Sequence, residues 1–263
     1  MGILNVTPDS FSDGGRFQSP EEAVHAGVIM VNEGADLIDV GGESTRPGAT
    51  PVDESEEIER VVPVINGLVA KGISVSIDTM KPAVARAALD AGAFLVNDVS
   101  GLRSPEMLVL VQERKPYVCI MHMQGNPATM QKHPTYGDVV AEVHDYLLEQ
   151  ASQIDLPTKQ IWLDPGIGFG KNLDHNLALI NGLSELGAAG YPVLIGVSRK
   201  GFLGKIANPN GDPLPVEERL EATLAAQVWA QLQGVSVIRT HDVRAARRAI
   251  EATAAIQNGS PKV

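Results

Sequence analysis

The chain has one cysteine among 263 residues, 4% aromatic residues, no long apolar run and no surplus of positive charge. Each shortage excludes something. A lone Cys119 rules out an intramolecular disulfide and any multi-cysteine metal site, and its place inside YVCIM reads as a buried thiol rather than a reactive one. The apolar runs fall well short of the ~20 residues that a spanning helix needs, and nothing resembling a signal peptide precedes the first strand. A cytoplasmic protein is expected. A net charge of −11 leaves no basic stripe for nucleic acid. A small anionic ligand would need a local cluster of cations set against that field.

What is present is a repeat. Short apolar runs recur as GILNV, DLIDV, SVSID, FLVND, YVCIM, IWLD, VLIGV and SVIRT, each followed by an amphipathic stretch long enough for a helix. Two joints are alike, EGADLIDVGG and AGAFLVNDVSG, with Gly34 and Gly92 placed to end helices just before strands. Ser19 to Glu22 and Asp53 to Glu56 read as capping boxes, and Ser104-Pro105 puts proline at a first helical position. Strands this uniformly apolar are buried on both faces, as in a parallel sheet covered by helices. Eight strand and helix pairs predict an α/β fold, a closed (β/α)8 TIM barrel, over residues 1–258 as one domain with a 259–263 tail.

The polar residues that end the runs are the functional signal. They are Asn5, Asp39 with Glu43, Asp78, Asn97 with Asp98, His122, Asp164, Ser198 with Arg199 and Lys200, and Arg239 with His241. In a barrel these ends gather on the face where such enzymes build their sites. Singly, an Asp after a strand is more often a helix cap than a catalyst. Together they form a ring of carboxylates, amides and cations that core packing does not require. Long loops are expected on the same face at residues 6–19, 41–52, 122–136 and 198–216, and loops of that length serve as lids or binding loops. Phe11 and Asp13 lie in the first, Thr45, Arg46 and Pro47 in the second. An aromatic such as Phe11, in a segment unsuited to helix or strand, is placed to cover a flat ligand.

These segments resemble a known family. NVTPDSFSDGG, IDVGGESTRPG, SIDT, NDVSG, LDPGIGFGK, GVSRKGFLG and IRTHDV are together similar to the dihydropteroate synthases, in order and along nearly the whole chain. The resemblance implies a TIM barrel that joins 6-hydroxymethyl-7,8-dihydropterin diphosphate to p-aminobenzoate in folate synthesis, with Mg2+ as cofactor, sulfonamides as competitors and a homodimer as the assembly. It implies pterin contacts from Asp78, Asn97, Asp164, Lys200, Met121, Gly196 and Phe169. It gives the diphosphate to Asn5, Arg46, Arg239 and His241, with Asn5 also a ligand for Mg2+. For p-aminobenzoate it implies Phe11, Thr45, Pro47, Ser198, Lys200 and Gly201, with Asp13 and Arg46 on the lids. An ionised carboxylate at 164 suits the two parallel N–H donors of an aminopyrimidinone edge, and an arginine fork suits phosphate oxygens. The remaining histidines, His25, His144 and His175, read as solvated helix residues, while His122 and His133 lie in a barrel-face loop within reach of the site.

Two departures and two rivals accompany the resemblance. Relatives carry a dozen or more residues, a hairpin under the barrel, before the strand at which this sequence begins, so either another element covers the bottom or a piece is missing. Gly201 stands where some relatives have Ser, whose hydroxyl would meet the aminobenzoate carboxylate; a backbone N–H is the substitute. A pterin-dependent methyltransferase acting on methyltetrahydrofolate and a corrinoid shares the barrel and the Asp and Asn contacts, but Arg46, Arg239, His241 and TPDSFSDGG argue against it. A pterin-binding scaffold without activity is opposed by the intact ring.

Overall fold

The structure is a computed structural model that describes residues 1–6, 19–44, 51–125 and 129–259. Six parallel strands run side by side in chain order: β1 (Gly2–Asn5), β2 (Ile38–Gly41), β3 (Val75–Asp78), β4 (Leu95–Asp98), β5 (Tyr117–Met121) and β6 (Ile161–Asp164). Two further strands, β7 (Leu194–Ile195) and β8 (Val237–Ile238), pair in parallel with each other. Single parallel bridges, Leu163 to Val193 and Gly2 to Thr240, join the two sets. The N–H of Leu163 donates to the Pro192 carbonyl at 2.9 Å, and that of Ile3 to the Thr240 carbonyl at 3.0 Å. The ring is thereby closed, and the fold is the TIM barrel that the repeat predicted. The seams are narrow because the runs at 193–197 and 236–240 each contribute only two paired residues plus a bridge, as a staggered register at closure demands.

Helices wrap the outside: α1 (Pro20–Asn32), α2 (Glu54–Val69), α3 (Pro82–Asp90), α4 (Pro105–Arg114), α5 (Val139–Ser152), α6 (Leu173–Asn181), α7 (Leu183–Gly187), α8 (Gly201–Ala207), α9 (Leu220–Leu232) and α10 (Val243–Asn258). Their starts follow the sequence signals. Ser19 accepts from the Glu22 N–H, Asp53 from Ser55, and Ser104 from Met107, each capping orphan donors of a first turn. Gly34 and Gly92 sit just past helix ends at φ +105 and +102, a conformation that any side chain would strain. The stretch 198–216 is not a structureless loop as expected. It contains α8, which forms because Leu203 and Gly204 are buried and Gly204 packs its bare Cα against the Leu214 backbone.

Strand alternation divides the core in two. Leu4, Ile38, Val40, Ile77, Val96, Val118, Ile120, Leu163 and Ile195 point outward into the layer under the helices. The opposite set fills the lumen. At its lower end Met1, Leu95, Cys119, Trp162 and Leu194 pack with Leu37, Phe94, Tyr117 and Val237. Edge-to-face contacts of Phe94 with Tyr117 (5.5 Å) and of Tyr117 with Trp162 (6.2 Å) add to this plug. Cys119 is fully buried, and burial pushes its thiol well above the ordinary range, so it is the inert core residue expected. Among the described residues no helix is long and apolar enough to cross a membrane.

Candidate active site

The same alternation that lines the plug puts polar residues into the upper lumen. Asn5, Asp39, Asp78, Asn97, Asp164 and Arg239 all share the inward parity, one or two steps above the apolar plug. Arg239 reaches across the barrel. Its Nε donates to Asp39 Oδ2 and its Nη2 to Asp78 Oδ2, both at 2.6 Å. Asn97 Nδ2 donates to the same Asp39 oxygen at 3.1 Å. Burial opposes the guanidinium charge, but the two carboxylates hold it well above its usual range. Asp78 is pushed up to about 7, mainly by burial, with Arg239 working against the rise. Asp39, completely buried, is thus a pivot that the sequence ring contained without a role. The outer oxygens of Asp39 and Asp78 are buried without a protein partner among the described residues.

One wall is the glycine-rich turn after β6. Gly166, Gly168 and Gly170 have positive φ. A Cβ on Gly166 would land on the His122 carbonyl, so only glycine lets this turn lie so close to the end of β5. Asp164 Oδ1 accepts from the Gly166 N–H at 2.7 Å. Burial raises the Asp164 carboxyl, opposed by that bond and by Lys200 and other cations. Lys200 Nζ donates to the Ile167 carbonyl and stands 4.3 Å from the centre of the Phe169 ring, an ammonium over an aromatic face. Burial lowers Lys200 to about 8. Phe169 in turn packs on an apolar cluster of Val99, Met121, Met123 and Met130 with Met80. Of these only Met121 and Phe169 were assigned from sequence. The other methionines follow polar strand ends and carried no periodic signal.

The remaining predicted residues divide. Ser198 Oγ lies 3.0 Å from His241 Nδ1 and accepts from the His241 N–H at 3.2 Å, which brings a residue assigned to p-aminobenzoate against one assigned to diphosphate. Arg199, at φ +58, turns away to pair with Asp242. Gly196 lies beside Arg239, where a Cβ would stand 3.9 Å from its Cδ, and Gly201 opens α8 with free space around it. Asn5 Oδ1 and Asp78 Oδ2 both sit within 4 Å of where a Gly41 side chain would start. Asp98 faces outward and caps its own turn through the Ser100 and Leu102 N–H groups. Phe11, Asp13, Thr45, Arg46 and Pro47 lie outside the described residues.

The histidines need correction. His175 is not merely solvated: its Nδ1 accepts from the Asn172 N–H in a capping box, and its ring meets Tyr136 edge-on at 4.9 Å. His122 is buried, and burial together with Lys171 pushes it down to about 3. It accepts from Lys171 rather than reaching into the site.

A barrel rim that pairs inward carboxylates and an amide with a buried guanidinium, beside an apolar cluster, is the kind of place where barrel enzymes bind a small polar molecule. Residues 1–241 match the family model described as pterin binding enzyme, and the chain belongs to that family. Its relatives are dihydropteroate synthases. That of Escherichia coli (strain K12) is 46% identical over 260 residues, covering 96% of this chain and 90% of that one. The Yersinia pestis dihydropteroate synthase, solved with a sulfonamide drug complex, superposes with a TM-score of 0.91 at 40% identity over 99% of this chain and 94% of that one. The Xanthomonas albilineans enzyme in complex with 7,8-dihydropteroate gives a TM-score of 0.86 at 41% identity over 98% and 92%.

Proposed function

We propose that this chain transfers the pterinylmethyl group of 6-hydroxymethyl-7,8-dihydropterin diphosphate to the amine of p-aminobenzoate, releasing diphosphate, as a step of folate synthesis in the cytoplasm. The observation that carries the reading is the convergence of Asp78, Asn97, Asp164, Lys200 and Arg239 on one rim, beside the apolar cluster of Met121 and Phe169. In this reading Asp164, Asn97 and Asp78 take the heterocycle's donors, with Lys200 along its face and Gly196 leaving room for its edge. Burying those polar edges is tolerable only when each is paired. Arg239, His241, Asn5 and Arg46 hold the diphosphate, so Arg239 gives up part of its carboxylate pairing when the anion binds.

The methylene C–O bond breaks with its electron pair leaving on diphosphate. The arylamine lone pair then forms the C–N bond, and its proton passes to the departing anion or to water. This route needs no covalent intermediate on the protein and no strong base. The aminobenzoate would take contacts from Phe11, Thr45, Pro47, Ser198, Lys200 and Gly201, which would also exclude water from the cation. A hard cation would suit the oxygen donors here: Asn5 Oδ1 and Asp78 Oδ2 both lie within 4 Å of where a Gly41 side chain would start, and Asp78 Oδ1 is buried without a protein partner among the described residues. Asn5 would hold Mg2+, whose chemistry when bound would be to offset negative charge on the leaving diphosphate.

Diphosphate release that requires both p-aminobenzoate and the pterin diphosphate, inhibited by a sulfonamide, is the expected result. Pterin binding without release refutes the transferase reading. Phe11→Ala should raise the KM for p-aminobenzoate alone. We also propose a homodimer. Exposed Leu177, Ile206 and Trp229 border an apolar groove between α6, α8 and α9, and sedimentation at micromolar concentration should show twice the chain mass.

A further inference from the structure

Lys171 ends the glycine-rich turn and is buried to 3% exposure, yet the chemistry above does not use it. Its Nζ lies 3.0 Å from the Gly166 carbonyl, 2.9 Å from that of Phe169, 3.2 Å from that of His122 and 2.9 Å from His122 Nδ1. An ammonium has only donors, so the His122 ring must accept through Nδ1 as a neutral imidazole. That agrees with the depression of His122, while burial lowers Lys171 itself to about 7 against the pull of Asp164, so the carbonyls around it are what favour the charged form. The rest of the turn is held in the same way. Gly168 carbonyl accepts from Gln131 at 2.8 Å, Gly170 carbonyl from Tyr136 at 2.8 Å, and the Ile167 carbonyl from Lys200. Three glycines with positive φ give this segment no helix or strand to hold it, so its shape depends on those bonds.

We propose that Lys171 is a positioning residue for the pterin site: its ammonium ties the Gly166 and Phe169 carbonyls to His122 at the end of β5, and so sets the Gly166 N–H on Asp164, the Phe169 ring and the Ile167 carbonyl that carries Lys200. It touches no substrate; it acts through the turn. The inference rests on the reading of this rim as a pterin site, and the test separates the two.

Calorimetric binding of 6-hydroxymethylpterin diphosphate with Mg2+ is measured for wild type, Lys171→Met and Lys171→Gln, beside initial rates against each substrate. Both variants should weaken pterin binding by about tenfold or more, since removing the buried ammonium leaves the Gly166 and Phe169 carbonyls of that wall unpaired. The KM for p-aminobenzoate should change several-fold less than the pterin affinity, because Ser198 and Gly201 stand on other loops and only Lys200 is shared with the pterin side. Adding Phe169→Leu to Lys171→Met should weaken binding less than the product of the two single effects, because both act through one wall. Folded variants, by far-UV circular dichroism, with wild-type pterin affinity overturn the proposal alone. Equal losses for both substrates, in step with a lowered Tm, overturn it in favour of a merely structural lysine. Wild type that binds no pterin overturns the site reading and the proposal with it. Lys171→Gln keeps a shorter donor in place, so it supplies the decisive comparison where Lys171→Met does not fold.

Discussion

Asp39→Asn tests the polar lumen directly. The carboxylate is completely buried, and one of its oxygens accepts from both Arg239 Nε at 2.6 Å and Asn97 Nδ2 at 3.1 Å. An amide oxygen in the same place keeps both hydrogen bonds but removes the charge, and its NH2 falls where Oδ1 has no protein partner. Breaking a buried ion pair by removing one partner costs about 3–5 kcal/mol. Asp78 still holds the other end of Arg239, and the variant keeps its hydrogen bonds, so the expected loss is about 2 kcal/mol, a fall in Tm of roughly 5 °C. A second effect is independent of stability. Asp39 is one of the charges that raises Asp78, so neutralising it should move the Asp78 titration down from about 7. Urea unfolding measures the first effect, and carboxyl carbon NMR of the folded protein measures the second. A variant as stable as wild type, with Asp78 titrating unchanged, would refute the shared pivot.

Other outcomes follow from the same geometry. Asp164→Asn puts an amide donor toward a ring edge that already donates, and should cut pterin affinity by roughly tenfold to a hundredfold in calorimetry; unchanged affinity removes that assignment. Gly166→Ala meets the His122 carbonyl at a φ of +66 and should lose roughly 3 kcal/mol or more of unfolding free energy, measured in urea. For pH, Asp78 is raised above its ordinary 3.8 to about 7 in the fold, so its contribution to stability is whole below about pH 4 and drains away as pH rises through about 7. Asp78→Asn should therefore flatten the fall of unfolding free energy over that window, and identical slopes in the two proteins would contradict it.

The barrel was legible because its signals are local. Eight strands, seven of them buried, read as apolar runs, and caps such as Ser19, Asp53 and Ser104 act within a few residues of themselves. The α8 helix inside 198–216 was not, because what stabilises it is burial of Leu203 and close packing of Gly204 on residue 214, contacts that no periodicity over seven residues announces. Strand ends likewise named Asp78, Asn97, Asp164 and Arg239, since period-two alternation sends polar residues of one parity into the lumen.

The sequence by itself therefore determined the closed α/β architecture and which residues crowd its rim, both consequences of hydrophobic period and chain direction. Only the tertiary structure decided who holds whom. That Asp39 anchors Arg239 from 200 residues away, that Lys171 knots the glycine turn to His122, and that His175 caps a helix while Asp98 serves its own turn are matters of a few ångströms across the barrel. Charge and hydrogen bonding in a low-dielectric lumen depend on such distances, which a one-dimensional pattern does not carry.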